Sequence, residues 1–217
     1  MRNSLADVVA AGLRVLDAQG LENCSMRRVA AELGVQPSAL YHHVPNKQSL
    51  LALMADEIVL GVGPRVTAAG AAAGDPRRLC VDLREAMLAV RDGADVVATA
   101  TAFRLGRSRV EDSLAQLVGF DGARTLLLFT FGHAQSTQTH RQAAALGALV
   151  DIADPAVAAD AGPAAPGEPE GVDVTRPVAP ISDPAADLDA SFGRGLDIIL
   201  AGLAAAARPA RTALPVR

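Results

Sequence analysis

The chain has 217 residues, room for one large domain or for a small domain joined to a larger one, and its formal charge of −4 does not by itself mark a nucleic-acid binder. Half of its residues are apolar, yet it holds one Tyr, five Phe and no Trp, so its core must come from Ala, Leu and Val, a mixture that favours helices over sheets. The longest apolar stretches, such as Thr125 to Phe131, are too short to cross a bilayer, and no basic segment followed by an apolar run opens the chain; a soluble cytoplasmic protein with no membrane partner is expected. Cys24 and Cys80 lie in separate predicted helices without a metal-type partner at ligand spacing, and buried free thiols are expected.

Ser4 followed by Asp7 is a capping-box pattern, and Leu5, Val8, Val9, Leu13 and Leu16 recur at helical spacing until Gly20. A second helix starts at Ser25, with Met26, Val29, Ala30 and Leu33 on one face, and stops at Gly34. Pro37 fits the first turn of a third helix of about seven residues, closed by Pro45 after Val44. Asn46 can cap a fourth, carried by Leu50, Leu53, Met54, Glu57 and Ile58 to about Leu60. Gly61, Gly63, Pro64, Gly70 and Gly74 then mark a junction, so 1–60 and 61–217 are the expected domains.

Asp75 and Pro76 start a helix with Leu79, Leu83, Met87 and Val90 on its apolar face, ending at Arg91-Asp92-Gly93. A weakly signalled helix follows over Ala94 to Ala102. Ser108 with Glu111 opens another, which buries Leu114, Leu117 and Val118 before Gly119. After a Phe120-Asp121-Gly122 turn, a long helix is predicted from Ala123 to about Leu149. Asp151 to Asp183 holds six prolines and seven acids among alanines, the composition of a mobile loop. A last helix starts at Asp183-Pro184 with Leu188, Phe192, Leu196, Ile199 and Leu203 on one face. No segment alternates convincingly, so the predicted fold class is all-α.

Charge is unevenly spread: Arg27, Arg28 and Lys47 stand against Glu32 alone between residues 27 and 47, while the 151–183 segment is acidic. Two short helices joined by a tight Gly34 turn, the second of them polar and proline-initiated, form the geometry that presents a helix end to a DNA groove. The run from Cys24 to Leu51, above all Leu40-Tyr41-His42-His43-Val44 and Asn46-Lys47, resembles the helix-turn-helix segment of the TetR family of transcriptional regulators.

Gln36, Ser38, His42 and His43 are the polar side chains able to leave the short helix toward base edges or phosphates, with Leu40 and Val44 turned inward; Gln36 and Ser38 can equally cap the helix. Tyr41 is either a packed aromatic or, as the resemblance implies, a phosphate contact. Lys47, the only lysine, begins the fourth helix, where its ammonium adds to unpaired N–H groups as a phosphate contact. The resemblance places Arg27 where a family arginine reaches a guanine edge, and Arg28 is left to hold phosphate or simply solvate its helix. Met26, Ala39 and His42 depart from the founding repressor, so its operator cannot be carried over.

A single short helix makes few contacts, and a double-stranded operator with two half-sites calls for a homodimer. The long helix and the last helix are the expected interface, with Gly193, Gly195, Ala201 and Gly202 permitting close approach and Phe192, Leu196, Ile199 and Leu203 supplying apolar area. Arg91-Asp92-Gly93, Gly132-His133 and Phe192-Gly193-Arg194-Gly195-Leu196 resemble the family's tetracycline-repressor branch, which implies a small-molecule pocket between the central helices and, in that branch, a magnesium–tetracycline complex. Val97, Arg141 and Gly63 stand where that branch has its histidine, glutamate and drug-contacting histidine, so no cofactor and no metal is expected. His133 and His140 lie two turns apart, roughly 10 Å along a helix, too far to share an ion.

The pocket is expected from Leu79, Leu83, Met87, Val97, Thr101, Phe103, Leu117 and Phe129, with Arg104, His133, Gln135 and Thr137 as polar anchors, and its effector to be mostly apolar. No nucleophile elbow, phosphate-binding glycine loop or Cys–His pairing appears, so an enzyme is not expected. The sequence reads as a regulator, a repressor released from a palindromic operator, with an activator or a dimeric small-molecule carrier as the alternatives.

Overall fold

The computed structural model describes residues 3–63, 74–103, 108–147 and 184–207, and among them every regular element is an α-helix. In order these are α1 (Leu5–Gln19), α2 (Met26–Glu32), α3 (Pro37–Leu40), α4 (Lys47–Ile58), α5 (Pro76–Leu88), α6 (Gly93–Phe103), α7 (Arg109–Ala145) and α8 (Pro184–Ala206). The predicted 151–183 loop and Arg104 lie outside the described residues. No helix among those described is long and apolar enough to cross a membrane.

Local chemistry accounts for the helix ends. The Ser4 hydroxyl accepts from the Asp7 N–H while the Asp7 carboxylate accepts from the Ser4 N–H at 2.7 Å, an arrangement that holds Asp7 below the usual carboxylate range. Ser25 caps α2, which ends in a left-handed Gly34 (φ 67°) with the Val35 N–H on the Ala30 carbonyl and the Gly34 N–H on that of Ala31. The third helix is one turn rather than seven residues. Asn46 is extended (φ −162°) to cap α4, and Pro45 keeps the residue before it out of the helical region, so Tyr41 to His43 continue as turns on the Leu40 carbonyl.

The weakly signalled sixth helix is present, and one further element differs from expectation in its bounds. The weakly signalled α6 is a complete helix, because Val96, Val97 and Ala100 are buried and Gln138 of α7 receives the Ala94 N–H. The two predicted helices after Ser108 follow one another without a loop and are together labelled α7; as expected they part at Gly119, whose backbone is not helical (φ 78°, ψ 169°), and the second finishes at Ala145 rather than near Leu149. The predicted Phe120–Gly122 turn is helical. Gly122 is buried where Leu203 of α8 comes within 3.2 Å of the position a Cβ would take.

Val8, Leu16, Val29, Leu40, Leu50 and Met54 fill the space among α1–α4, and α1 crosses α4 at Gly12, where a Cβ would meet the Met54 sulfur at 2.9 Å. Leu83, Met87, Leu114, Leu126 and Leu196 fill that among α5, α7 and α8. α6 packs on α4, α5 and α7, so one contiguous apolar cluster runs through the described chain. Leu5, expected on the buried face of α1, is exposed, and Cys24 and Cys80 are buried free thiols. Burial pushes the Cys80 thiol up to about 11 and raises that of Cys24.

Candidate nucleic-acid interface and effector cleft

α2, the Gly34 turn and α3 form a helix-turn-helix whose inner side is Val29, Ala30, Leu40 and Val44, all buried. Arg27, Arg28, Gln36, Ser38, Tyr41, His42 and His43 are exposed on the other side. Tyr41 is 53% exposed, so it is not a packed aromatic. Gln36 occupies the N-cap position of α3 without a side-chain cap bond, and the Ser38 hydroxyl has no partner among the described residues. Both side chains are therefore available to a ligand. The Arg28 guanidinium donates to the Gln19 side chain, whereas Arg27 has no partner among the described residues. Lys47 is half-buried at the first position of α4 and donates one N–H to the Leu21 carbonyl at 3.4 Å.

Between α4, α5, α6 and α7 lies a cleft of about 20 Å³ lined by Ala55, Val59, Leu83, Val97, Leu127 and Phe131, with Asp56, Thr101 and Ser108 supplying its polar atoms. Leu83, Val97 and Thr101 were expected there; Ala55, Val59, Leu127 and Phe131 were not. Their signal was present as two i, i+4 apolar pairs, one on α4 and one on α7. Leu79 and Met87 are buried in the core beside the cleft. Phe103, 70% exposed, lines a shallower cleft between α4 and α6 with Asn46, Ser49 and Thr99. Leu117 is 38% exposed and lies against Gly74, and the Gln135 amide donates to Asp95 at 2.7 Å.

His133, Thr137 and Phe129 belong instead to a network centred on Arg84, which sequence reasoning missed. The buried Arg84 guanidinium donates to Asp189 at 2.7 Å, to Thr137 at 3.2 Å and to the His133 Nδ1 at 3.4 Å, and lies 4.9 Å from the centre of the Phe192 ring. Phe192 stacks on Phe129 at 5.5 Å. Burial, reinforced by the Arg84 charge, pushes the His133 imidazole below its ordinary value. The signal for Arg84 was a cation four residues after Cys80, on the apolar side of α5.

α8 places the proposed interface residues in two groups. Phe192 and Leu196 are buried in the chain's own core and offer no surface to a partner, while Gly195 is half-buried where a Cβ would collide with the Phe129 ring; these three pack α8 on α7. Ile199 and Leu203 are half-buried against the same core, while Gly202 opens to space. Large apolar side chains that do face outward include Ile198 of α8, 73% exposed, and Leu128 of α7, 63% exposed. A continuous apolar face first covers its own domain, and the outer face of α8 has to be read from the residues left over.

Among the described residues no group of three or more His, Cys, Asp or Glu side chains is placed to hold a metal ion. Val97 is apolar and buried, and the Arg141 guanidinium stands 3.7 Å from the Asp189 carboxylate.

The description "Bacterial regulatory proteins, tetR family" matches residues 8–54. Tetracycline repressor protein class A from transposon 1721 of Escherichia coli is 30% identical over 207 residues, covering 91% of this chain and 88% of that relative. The crystal structure of BioQ with its natural double-stranded DNA operator superimposes with a TM-score of 0.64 at 26% identity, over 94% of this chain and 99% of the other. Streptomyces coelicolor ActR in complex with (S)-DNPA does so with a TM-score of 0.64 at 27% identity, over 95% and 100%. The chain belongs to the tetR family of bacterial regulatory proteins, as a transcriptional regulator whose first helices are its DNA-binding unit.

Proposed function

We propose that the chain is a homodimeric repressor that binds a palindromic operator and is released by a small, largely apolar effector that enters without a metal. The observation that carries the reading is the exposed set Arg27, Gln36, Ser38, Tyr41, His42 and His43, polar side chains without partners among the described residues around a one-turn helix. Solvent-exposed polar groups held on rigid apolar backing are the form that base-edge and phosphate contacts take. Tyr41, Arg28 and Lys47 hold phosphates in this reading, and Arg27, Gln36 and His42 reach bases. The operator complex of BioQ and the repressor role of the E. coli relative support it.

Dimerisation uses the outer faces of α7 and α8, around Leu128, Ile198 and Gly202. The effector cleft is lined by Val59, Val97, Leu127 and Phe131 and, at about 20 Å³, has room for about one water. A drug-sized ligand needs several hundred cubic ångströms, so its entry must part α4 from α6 and α7, and that movement turns α4 and the reading helices with it. ActR with its bound (S)-DNPA supports a ligand-responsive member of this fold.

Titration of the promoter DNA beside the chain's own gene, at several salt concentrations, tests the reading. Sequence-selective binding that weakens steeply with salt is expected, and binding that is neither selective nor salt-dependent refutes it. Mass spectrometry of the ligand that co-purifies with the chain identifies the effector class.

A further inference from the structure

The turn between α5 and α6, Arg91-Asp92-Gly93, reaches across to the end of α1. The Arg91 guanidinium donates to the Asp17 and Ala18 carbonyls at 3.1 and 3.4 Å, supplying partners that the last turn of a helix lacks. One oxygen of Asp92 accepts from the Leu21 N–H at 2.8 Å, and the other accepts from the Gln142 amide of α7 at 2.6 Å. Leu21 is held again at its carbonyl, which receives the Lys47 ammonium. A single carboxylate thus stands between α7 and the residue that holds Lys47. These three bonds from Arg91 and Asp92 join the end of α1 to the turn between α5 and α6.

The backbone at this point is specialised for the contact. Asp92 is the one non-glycine among the described residues with positive φ, at 53°, a conformation that Asp tolerates better than most residues. Opposite it, Gly20 has φ 77°, and a Cβ there would sit 3.1 Å from the Asp92 carboxylate and 3.3 Å from the Arg91 guanidinium. Gln138, one turn before Gln142, accepts from the Ala94 N–H at 3.1 Å and donates to the Val90 carbonyl at 2.7 Å, fixing the turn from both sides. A left-handed residue whose two carboxylate oxygens engage two different neighbours, Leu21 and α7, marks strain retained for a role.

We propose that Asp92 is a positioning residue that transmits the setting of α7 to the DNA-reading half by clasping Leu21, and so places Lys47 against the phosphate backbone. The inference rests on the DNA-binding reading above and adds a second route of communication beside the packing of α4 on α6. A shift of α7 withdraws Gln142, frees the Asp92 carboxylate and loosens Leu21. Lys47 then loses its anchor without any change in the reading helix itself.

Full-length chain and its Gln142→Ala, Asp92→Gly and Asp92→Asn variants provide the test. Gln142 is exposed on α7 and its truncation leaves the core intact. Asp92→Gly keeps the backbone conformation and removes the clasp. Asp92→Asn keeps an acceptor for Leu21, tolerates the left-handed backbone and can pair with Gln142 after that amide turns over. Hydrogen exchange is measured without DNA over residues 17–24, and binding is measured on the same promoter duplex used above.

Gln142→Ala and Asp92→Gly are expected to speed exchange at the Leu21 amide and to weaken binding by about fivefold or more, with Asp92→Asn close to the unsubstituted chain. Lys47→Ala is expected to cost less in the Asp92→Gly background than alone, because the two substitutions remove one linked contact. Unchanged exchange at Leu21 in Gln142→Ala, tighter or unchanged binding, or strict additivity with Lys47→Ala overturns the proposal. If the unsubstituted chain binds no DNA, the functional reading fails, and the exchange measurement alone decides whether the clasp exists.

Discussion

Replacing Arg84 separates the two ways in which a buried cation can hold helices together. Its side chain is 8% exposed, whereas that of its partner Asp189 is 56% exposed, so water screens much of the ion pair, which is worth about 1 kcal/mol. The bonds to Thr137 and to the more distant His133 together add about 1 kcal/mol. The approach to Phe192 adds about 0.5 kcal/mol, and the packed aliphatic stem about 1 kcal/mol. Arg84→Ala is expected to lower stability by about 3.5 kcal/mol, or about 7–14 °C in Tm for a chain of this size. Arg84→Met loses the same polar contacts but keeps the packed stem, so its loss is smaller by about 1 kcal/mol, at about 2.5 kcal/mol. Thermal and urea unfolding of the three chains measures both numbers. Equal losses for Ala and Met would refute the argument, because they would show that the packed stem contributes nothing to holding α5 against α7 and α8.

Lys47→Ala removes one phosphate contact per protomer and two per dimer, so the slope of log K against log salt should become shallower by about 2; an unchanged slope places Lys47 off the DNA. Gly34→Ala puts a Cβ on a residue with φ 67° and nothing within 4 Å, so the cost is backbone strain alone, about 1 kcal/mol by urea midpoint, with Gly34→Asn losing less. The folded chain holds His133 below its ordinary value, and the unfolded chain therefore binds more protons between the two values. Stability should fall as pH drops through about 6.5 and level off below the folded value, and His133→Gln should flatten that part of the profile.

The DNA-reading half was the most legible in the amino-acid order. Ser4, Gly20, Ser25, Gly34, Pro37 and Asn46 act on their own backbone or on residues within a few positions, so their effects are readable without knowledge of what packs nearby. The outward set from Arg27 to His43 was equally legible, since it is what remains after Val29, Leu40 and Val44 take the inner side. Length was harder to read at α3, where the cap required by α4 overrode the pattern, and at α7, where Gly122 is helical because Leu203 packs over it.

Composition and periodicity by themselves determined an all-α chain, the order of its helices and the polar face that marks a DNA reader, because these rest on interactions local in sequence. Only the tertiary structure decided which apolar faces meet. It turned Phe192 and Leu196 inward and left Ile198 outside, and it gave the cleft to Leu127 and Phe131. It gathered Arg84, Thr137 and Asp189 from three helices and brought Asp92 to Leu21 across 71 positions. A helical stripe specifies that a surface will be buried but carries no record of its partner; that choice depends on the packing of the whole chain.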